Sequence, residues 1–147
     1  MIDEAGFLLT SIVGSKRMPN SLRTLVVDAG VNILVGAFWY KHDLYLTSDN
    51  DGIAEETVIC GPLCMNIDVV RPPIPLPALN AGDVLLLHPV GAYNVTQWMQ
   101  FIRMRPAVIL IREDGSVDVI RNPEDLDDIK RLEQVPLRLM QEGRHVP

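Results

Sequence analysis

Apolar positions fall in short runs bounded by Gly, Pro, Asn or Asp: GFLLTSIV (6–13), RTLVVD (23–28), DLYLT (43–47), ETVIC (56–60), DVLLLH (83–88) and RPAVILIR (105–112). Their length and their β-branched and aromatic content predict strands. The last two are apolar on both faces, the pattern of strands covered on both sides. ILIR, EDGS and VDVIR follow one another over residues 109–121 and form the clearest hairpin signal, with Val117 and Val119 on one face.

Helical spacing is rarer. Asn122 is a candidate cap, Pro123 suits the first helical position, and Leu126, Ile129 and Leu132 recur on one side, which predicts a helix over 124–133. A second short helix is expected over 92–101, with Val95, Met99 and Trp98 facing inward. The stretch RPPIPLP (71–77) is too rich in proline for a central strand and reads as an extended surface connection. Many strands and few helices predict a mainly β fold, an antiparallel barrel or sandwich with two short helices. One domain over residues 1–135 and a tail over 136–147 account for the length.

Composition narrows the class. The chain has 147 residues, 48% hydrophobic and 22% charged, which suits a globular protein with a real core. A net charge of −6 disfavours nucleic acid or an anionic membrane surface as partner. No apolar run approaches the roughly 20 residues needed to cross a bilayer. The first residues, MIDEAGF, carry acids where a signal peptide carries positive charge, so a cytoplasmic, reducing setting is expected.

Both cysteines flank a Gly-Pro turn, in CGPLC over 60–64. Three readings are open: a thiol that does chemistry, a metal or redox pair, and two cysteines that only pack. The C-x-x-x-C spacing is wrong for a thioredoxin-like or zinc-knuckle pair, and His42, His88 and His145 follow no ligand spacing, so no metal is expected. Cys60 ends an apolar strand and reads as a small buried hydrophobe, whereas Cys64 follows the turn, where a thiol can be reached. No Ser-His-Asp arrangement, phosphate-binding glycine loop or HExxH pair is present.

Read in order, VDAGVN (27–32), CGPLC (60–64), LPALNAGD (76–83), GAY (91–93) and RPA (105–107) form a series. The series resembles the C-terminal domain of the fold type III pyridoxal-phosphate-dependent decarboxylases that include the diaminopimelate and ornithine enzymes, over about residues 7–133. The resemblance implies a mostly β domain that follows a cofactor-binding α/β barrel, in head-to-tail homodimers whose active sites are completed by the partner's C-terminal domain. It implies that Cys64 is the proton donor crossing the dimer interface and that Tyr93 hydrogen-bonds the cofactor phosphate. A thiol can donate a proton near neutral pH and a phenol is a good neutral donor, so the side-chain chemistry agrees. Without the resemblance, Tyr93 reads as an aromatic capping a short helix. Asp68 falls on a motif position with no assigned role, and Phe101 lies where relatives carry a site-lining aromatic.

Departures from the family pattern bear on the substrate. Relatives acting on diaminopimelate or ornithine place an acid directly after the cysteine; here that residue is Met65. The diaminopimelate enzymes carry an Arg-Pro pair and a tyrosine for the substrate's distal end; here Gly36 and Ala37 replace the pair and Tyr40 is kept. Diaminopimelate and ornithine are therefore expected to be poor substrates. The barrel and its Schiff-base lysine are absent, and Lys16, Lys41 and Lys130 have no matching context. The cofactor, pyridoxal 5'-phosphate, is thus expected to be held mainly by a barrel of the same or a second chain, and this chain alone is not expected to decarboxylate anything. The rival readings are a non-catalytic decarboxylase-like interaction module and a plain structural domain.

Overall fold

The computed structural model describes residues 2–48 and 50–142. The chain divides after Arg103 into two compact units. The first holds strands β1 (Leu8–Arg17), β2 (Arg23–Val27), β3 (Asp43–Leu46), β4 (Glu55–Cys60), β5 (Val69–Leu76) and β6 (Val84–His88), with short 3-10 turns at Asp3–Ala5, Val35–Phe38 and Val95–Gln97. The six strands form one sheet in the order β3-β6-β1-β2-β4-β5. All neighbours are antiparallel except β2 and β4, which run parallel.

Alternation places one face of this sheet inside. Thr10 and Ile12, Leu25 and Val27, Thr57 and Ile59, and Leu85 and Leu87 are all buried at two-residue spacing. The register carries the layer across the strands, pairing Ile12 with Val27, Leu25 with Ile59 and Thr10 with Leu85. Leu34, Val70, Leu76, Leu79 and Val90 close over it. Each fully buried aliphatic side chain contributes roughly 1.5–3 kcal/mol, and a one-residue slip of any strand would turn its pair outward.

The proline-rich stretch is a strand, not a connection. As β5 it pairs only with β4 and forms the sheet's edge, so the missing N–H groups of Pro72, Pro73 and Pro75 need no second partner. Buried Arg23 ties β5 back to the sheet: its Nη2 donates to the carbonyls of Leu76 and Pro77, both at 2.7 Å, and its Nε to Thr57 Oγ1 at 2.7 Å.

The helix expected over 92–101 is reduced to the 3-10 turn Val95–Gln97. Tyr93 has φ 64° and Ile102 φ 66°, both left-handed. Asn94 spends its side-chain amide on the carbonyls of Val90 and Ala92, the local competition that keeps Asn out of helices. Val95 and Met99, expected to face inward, are exposed, while Trp98 is half-buried.

The second unit holds β7 (Val108–Ile111), β8 (Val117–Arg121) and helices α1 (Leu126–Lys130) and α2 (Leu137–Glu142). The hairpin forms as read, with Ile109 opposite Val119 and Ile111 opposite Val117. Covering on both sides does not occur: Ile109, Leu110, Ile111, Val117, Val119 and Ile120 are all exposed. A lone two-stranded ribbon with two helices of about one turn each has too little mass to cover it.

α1 is shorter than expected because Asp125, not Asn122, caps it. The Asp125 carboxylate accepts from the backbone N–H of Asp127 at 2.8 Å and of Asp128 at 3.1 Å, and Asp128 returns the bond to the Asp125 N–H. Glu124, expected in the first turn, instead receives the Arg105 guanidinium at 3.0 Å. Leu126 and Leu132 are exposed rather than packed inward. Residues 143–147, and His145 with them, lie outside the described residues.

Candidate active site

Three loops of the first unit carry the chemistry-bearing residues. The first leaves β4 and returns as β5, residues 61–68. It closes on itself: the Gly61 N–H donates to the Asp68 carbonyl at 3.0 Å, and the Asp68 N–H to the Met65 carbonyl at 3.0 Å. Leu63 is buried, Met65 is half-buried, and Cys64 between them is exposed with no disulfide. Cys60, half-buried at the end of β4, differs from the inert hydrophobe expected only in degree. Burial pushes its thiol pKa up, against a smaller downward pull from Lys16, and Asp68 adds to the rise. Cys64 is therefore the thiol that solvent or a ligand meets first.

The second loop, residues 89–94, leaves Tyr93 69% exposed. It is pinned from both ends. The Asp3 carboxylate accepts from the Ala92 N–H at 3.0 Å, and Asn94 Oδ1 accepts from the Gly36 N–H at 2.9 Å. That last bond joins it to the third segment, residues 28–42, which follows β2. Here Asp28 receives the Thr10 hydroxyl at 2.5 Å and the Ser11 N–H at 2.9 Å, fixing where the segment departs.

The second and third segments, with Asp3 and Gln97, line a half-open cavity of about 580 Å³ that also includes Tyr40, Lys41, His42 and Tyr93. The structure thus brings Tyr40 and Tyr93 to one site. Cys64, Met65 and Phe101 are not part of its wall; Phe101 is 40% exposed beyond the 3-10 turn. Lys41, without context in the sequence, stands on the cavity wall. His42 is buried, its Nδ1 2.7 Å from the Pro89 carbonyl, so the ring donates there and its buried Nε2 is left without a partner. A side chain at Gly36 would put its Cβ 3.0 Å from that Nε2 and 3.2 Å from Asn94 Oδ1.

Asp68 and Asn94 are the residues sequence reasoning left without a role. Both are buried polar groups whose only trace in the chain is a position beside a Gly-rich motif. His88 is likewise consumed locally, stacked on Phe7 at 4.4 Å and bonded to the Glu4 carbonyl at 2.9 Å. Among the described residues no group of three His, Cys, Asp or Glu could hold a metal, and no helix is long and apolar enough to cross a membrane.

The donors present fit one end of pyridoxal phosphate only. The Tyr93 phenol and the Lys41 ammonium, which line the same cavity, suit a phosphate.

Residues 1–91 match the family model of the pyridoxal-dependent decarboxylase C-terminal sheet domain. The chain is 34% identical over 145 residues to a diaminopimelate decarboxylase of Methanothermobacter thermautotrophicus, covering 95% of this chain and 33% of the relative. It is also 34% identical over 143 residues to that of Helicobacter pylori, covering 94% of this chain and 35% of the relative. The solved diaminopimelate decarboxylase of M. jannaschii in co-complex with L-lysine superposes with a TM-score of 0.85 at 29% identity, over 93% of this chain and 32% of that one. The chain therefore spans about a third of the length of these relatives.

Proposed function

The chain belongs to the C-terminal sheet domain family of the pyridoxal-dependent decarboxylases, and from that premise we propose that it supplies Cys64 and Tyr93 to the active site of a decarboxylase acting on amino-acid-like substrates. The observation that carries this reading is the exposed Cys64 thiol on a short loop held by its own backbone bonds. Cys64 lies off the wall shared by Tyr40 and Tyr93, as suits a site completed between two copies of the chain.

In the complete enzyme, pyridoxal phosphate supplies the electron sink for decarboxylation. The residues of this chain do the rest of their work by position. The Tyr93 hydroxyl would donate a hydrogen bond to a phosphate oxygen, and the Lys41 ammonium lines the same cavity. The Cys64 thiol would hold a proton for transfer to the substrate's α-carbon, and its thiolate would regain one from water. Phe101, half-exposed, is a candidate apolar contact for the substrate, and Tyr40 and Met65 are candidates for contact with its tail.

The partner is an α/β barrel of the same or a second chain, in a homodimer. Neither nucleic acid nor membrane is a partner in this reading. The substrate's tail is more apolar than that of diaminopimelate, or is attached to a larger group, because Met65 offers an ammonium nothing. A missing charge-assisted hydrogen bond is worth about 1.5–3 kcal/mol.

The test is Cys64→Ser in the complete enzyme. A fall of about 10²-fold or more in kcat, with cofactor still bound, is expected; unchanged turnover would remove the proposal. The exposed apolar hairpin favours a second reading, a decarboxylase-like module that docks on a partner without catalysis. That reading predicts binding to the barrel chain and indifference to the serine variant.

A further inference from the structure

We infer that Asp68 is the positioning residue for Cys64, a single buried carboxylate that fixes the thiol's loop against the segment leading to Tyr40. The inference rests on the proposed role of Cys64. Asp68 is 3% exposed and forms no salt bridge among the described residues. Its two carboxylate oxygens are used separately: Oδ2 accepts the Leu63 N–H at 2.7 Å and Oδ1 the Val31 N–H at 2.8 Å. Leu63 directly precedes Cys64, and Val31 opens the segment that carries Gly36 and Tyr40.

The backbone of Asp68 grips the same loop. Its N–H donates to the Met65 carbonyl, directly after Cys64, and its carbonyl accepts from Gly61. Cys64 is thus held on both sides by one residue, while the buried Leu63 side chain anchors the loop in the core. The approach is possible only because Gly30 and Gly61 lack side chains. A Cβ on either would collide with the carboxylate, and one on Gly61 also with the Gly30 Cα. The glycines of both motifs are therefore explained by the same carboxylate.

A carboxylate is required at this position, not merely a side chain of its shape. Two N–H donors converge on it, and an amide in its place can accept from one while turning its own NH2 against the other. Misplacing a reacting group by about 1 Å costs about 10²-fold in rate.

Two measurements on this chain test the inference. In the wild-type protein, NMR couplings across the hydrogen bonds should link the Asp68 carboxylate carbon to the amide nitrogens of both Val31 and Leu63. In Asp68→Asn, amide-exchange protection should fall about tenfold at Leu63 or Val31, and order should be lost across residues 61–67, with the strand amides of β1, β2 and β6 unchanged. Missing couplings, unchanged protection, or loosening or unfolding spread through the whole sheet would each overturn the positioning role. In the complete enzyme, Asp68→Asn should lower kcat by about 10²-fold at unchanged KM. A change in KM alone, or no change, would count against Asp68 even where Cys64→Ser abolishes turnover. An intact Cys64→Ser enzyme would instead remove the proposed role of the thiol and leave the NMR result standing.

Discussion

Gly36 and Met65 stand where the family resemblance leads one to expect residues for a substrate's distal end, yet the structure treats the two positions unequally. Met65 is half-buried on the loop between β4 and β5, and a glutamate matches it in side-chain length. Gly36 is closed in by the His42 ring and by Asn94. An acid at position 65 is therefore open to this fold, whereas a side chain at position 36 requires the His42 ring or Asn94 to give by a few tenths of an ångström. Met65→Glu should leave the melting temperature of the chain unchanged and, in the complete enzyme, raise kcat/KM for diaminopimelate relative to other substrates by about tenfold or more. Gly36→Arg should destabilise the chain by about 1–3 kcal/mol in denaturant unfolding, the usual cost of overpacking. An unchanged substrate preference in the first variant would count against Met65 as a specificity residue, and a neutral second variant against the closed wall. At this scale, motifs identified the exposed residues well: the thiol after the Gly-Pro turn and the tyrosine of Gly-Ala-Tyr both reach the surface. Asp68 and Asn94 stayed illegible because their meaning lies in which distant amides point at them, and no periodicity encodes that.

Elements were legible where alternation set them and illegible where a single cap or edge decided. The strands through Leu25 and Val27 or Leu85 and Leu87 follow from two-residue spacing alone. β5 escaped the reading because proline excludes a central strand but tolerates an edge, and which strand lies at the edge is a property of the whole sheet. The start of α1 escaped it because Asn122 and Asp125 are both competent caps, and the Arg105 contact with Glu124 holds the preceding residues out of the helix. This choice is testable. Asp125→Ala removes the acceptor of two N–H groups and should cost about 1 kcal/mol locally, accelerating exchange at the Asp127 and Asp128 amides roughly fivefold. Asn122→Ala, which touches no cap, should stay within about 0.5 kcal/mol of the wild type. Equal effects from the two would contradict the capping assignment.

At the scale of the molecule, the mainly β class could be read from the strands alone, whereas the parallel β2–β4 pair and the division after Arg103 depend on long-range pairing that composition does not specify. The same scale governs what the chain can bind. It spans about a third of its relatives' length, and its half-open cavity offers a phenol and an ammonium toward a phosphate. Phosphate contacts from one wall, open to water and screened by salt, are weak. Absorbance titration of this chain with pyridoxal phosphate should therefore show only a slow, non-saturating change from random reaction with surface lysines. Tyr93→Phe should not alter it, because the hydroxyl becomes useful only once a barrel fixes the other end of the cofactor. Adding the barrel chain should convert the same titration to a saturable, one-to-one process that Tyr93→Phe weakens about tenfold, the loss of one hydrogen bond to a charged acceptor. Saturable stoichiometric binding by the isolated chain would mean that these residues already form a whole cofactor site, and the account of a divided enzyme would fall with it.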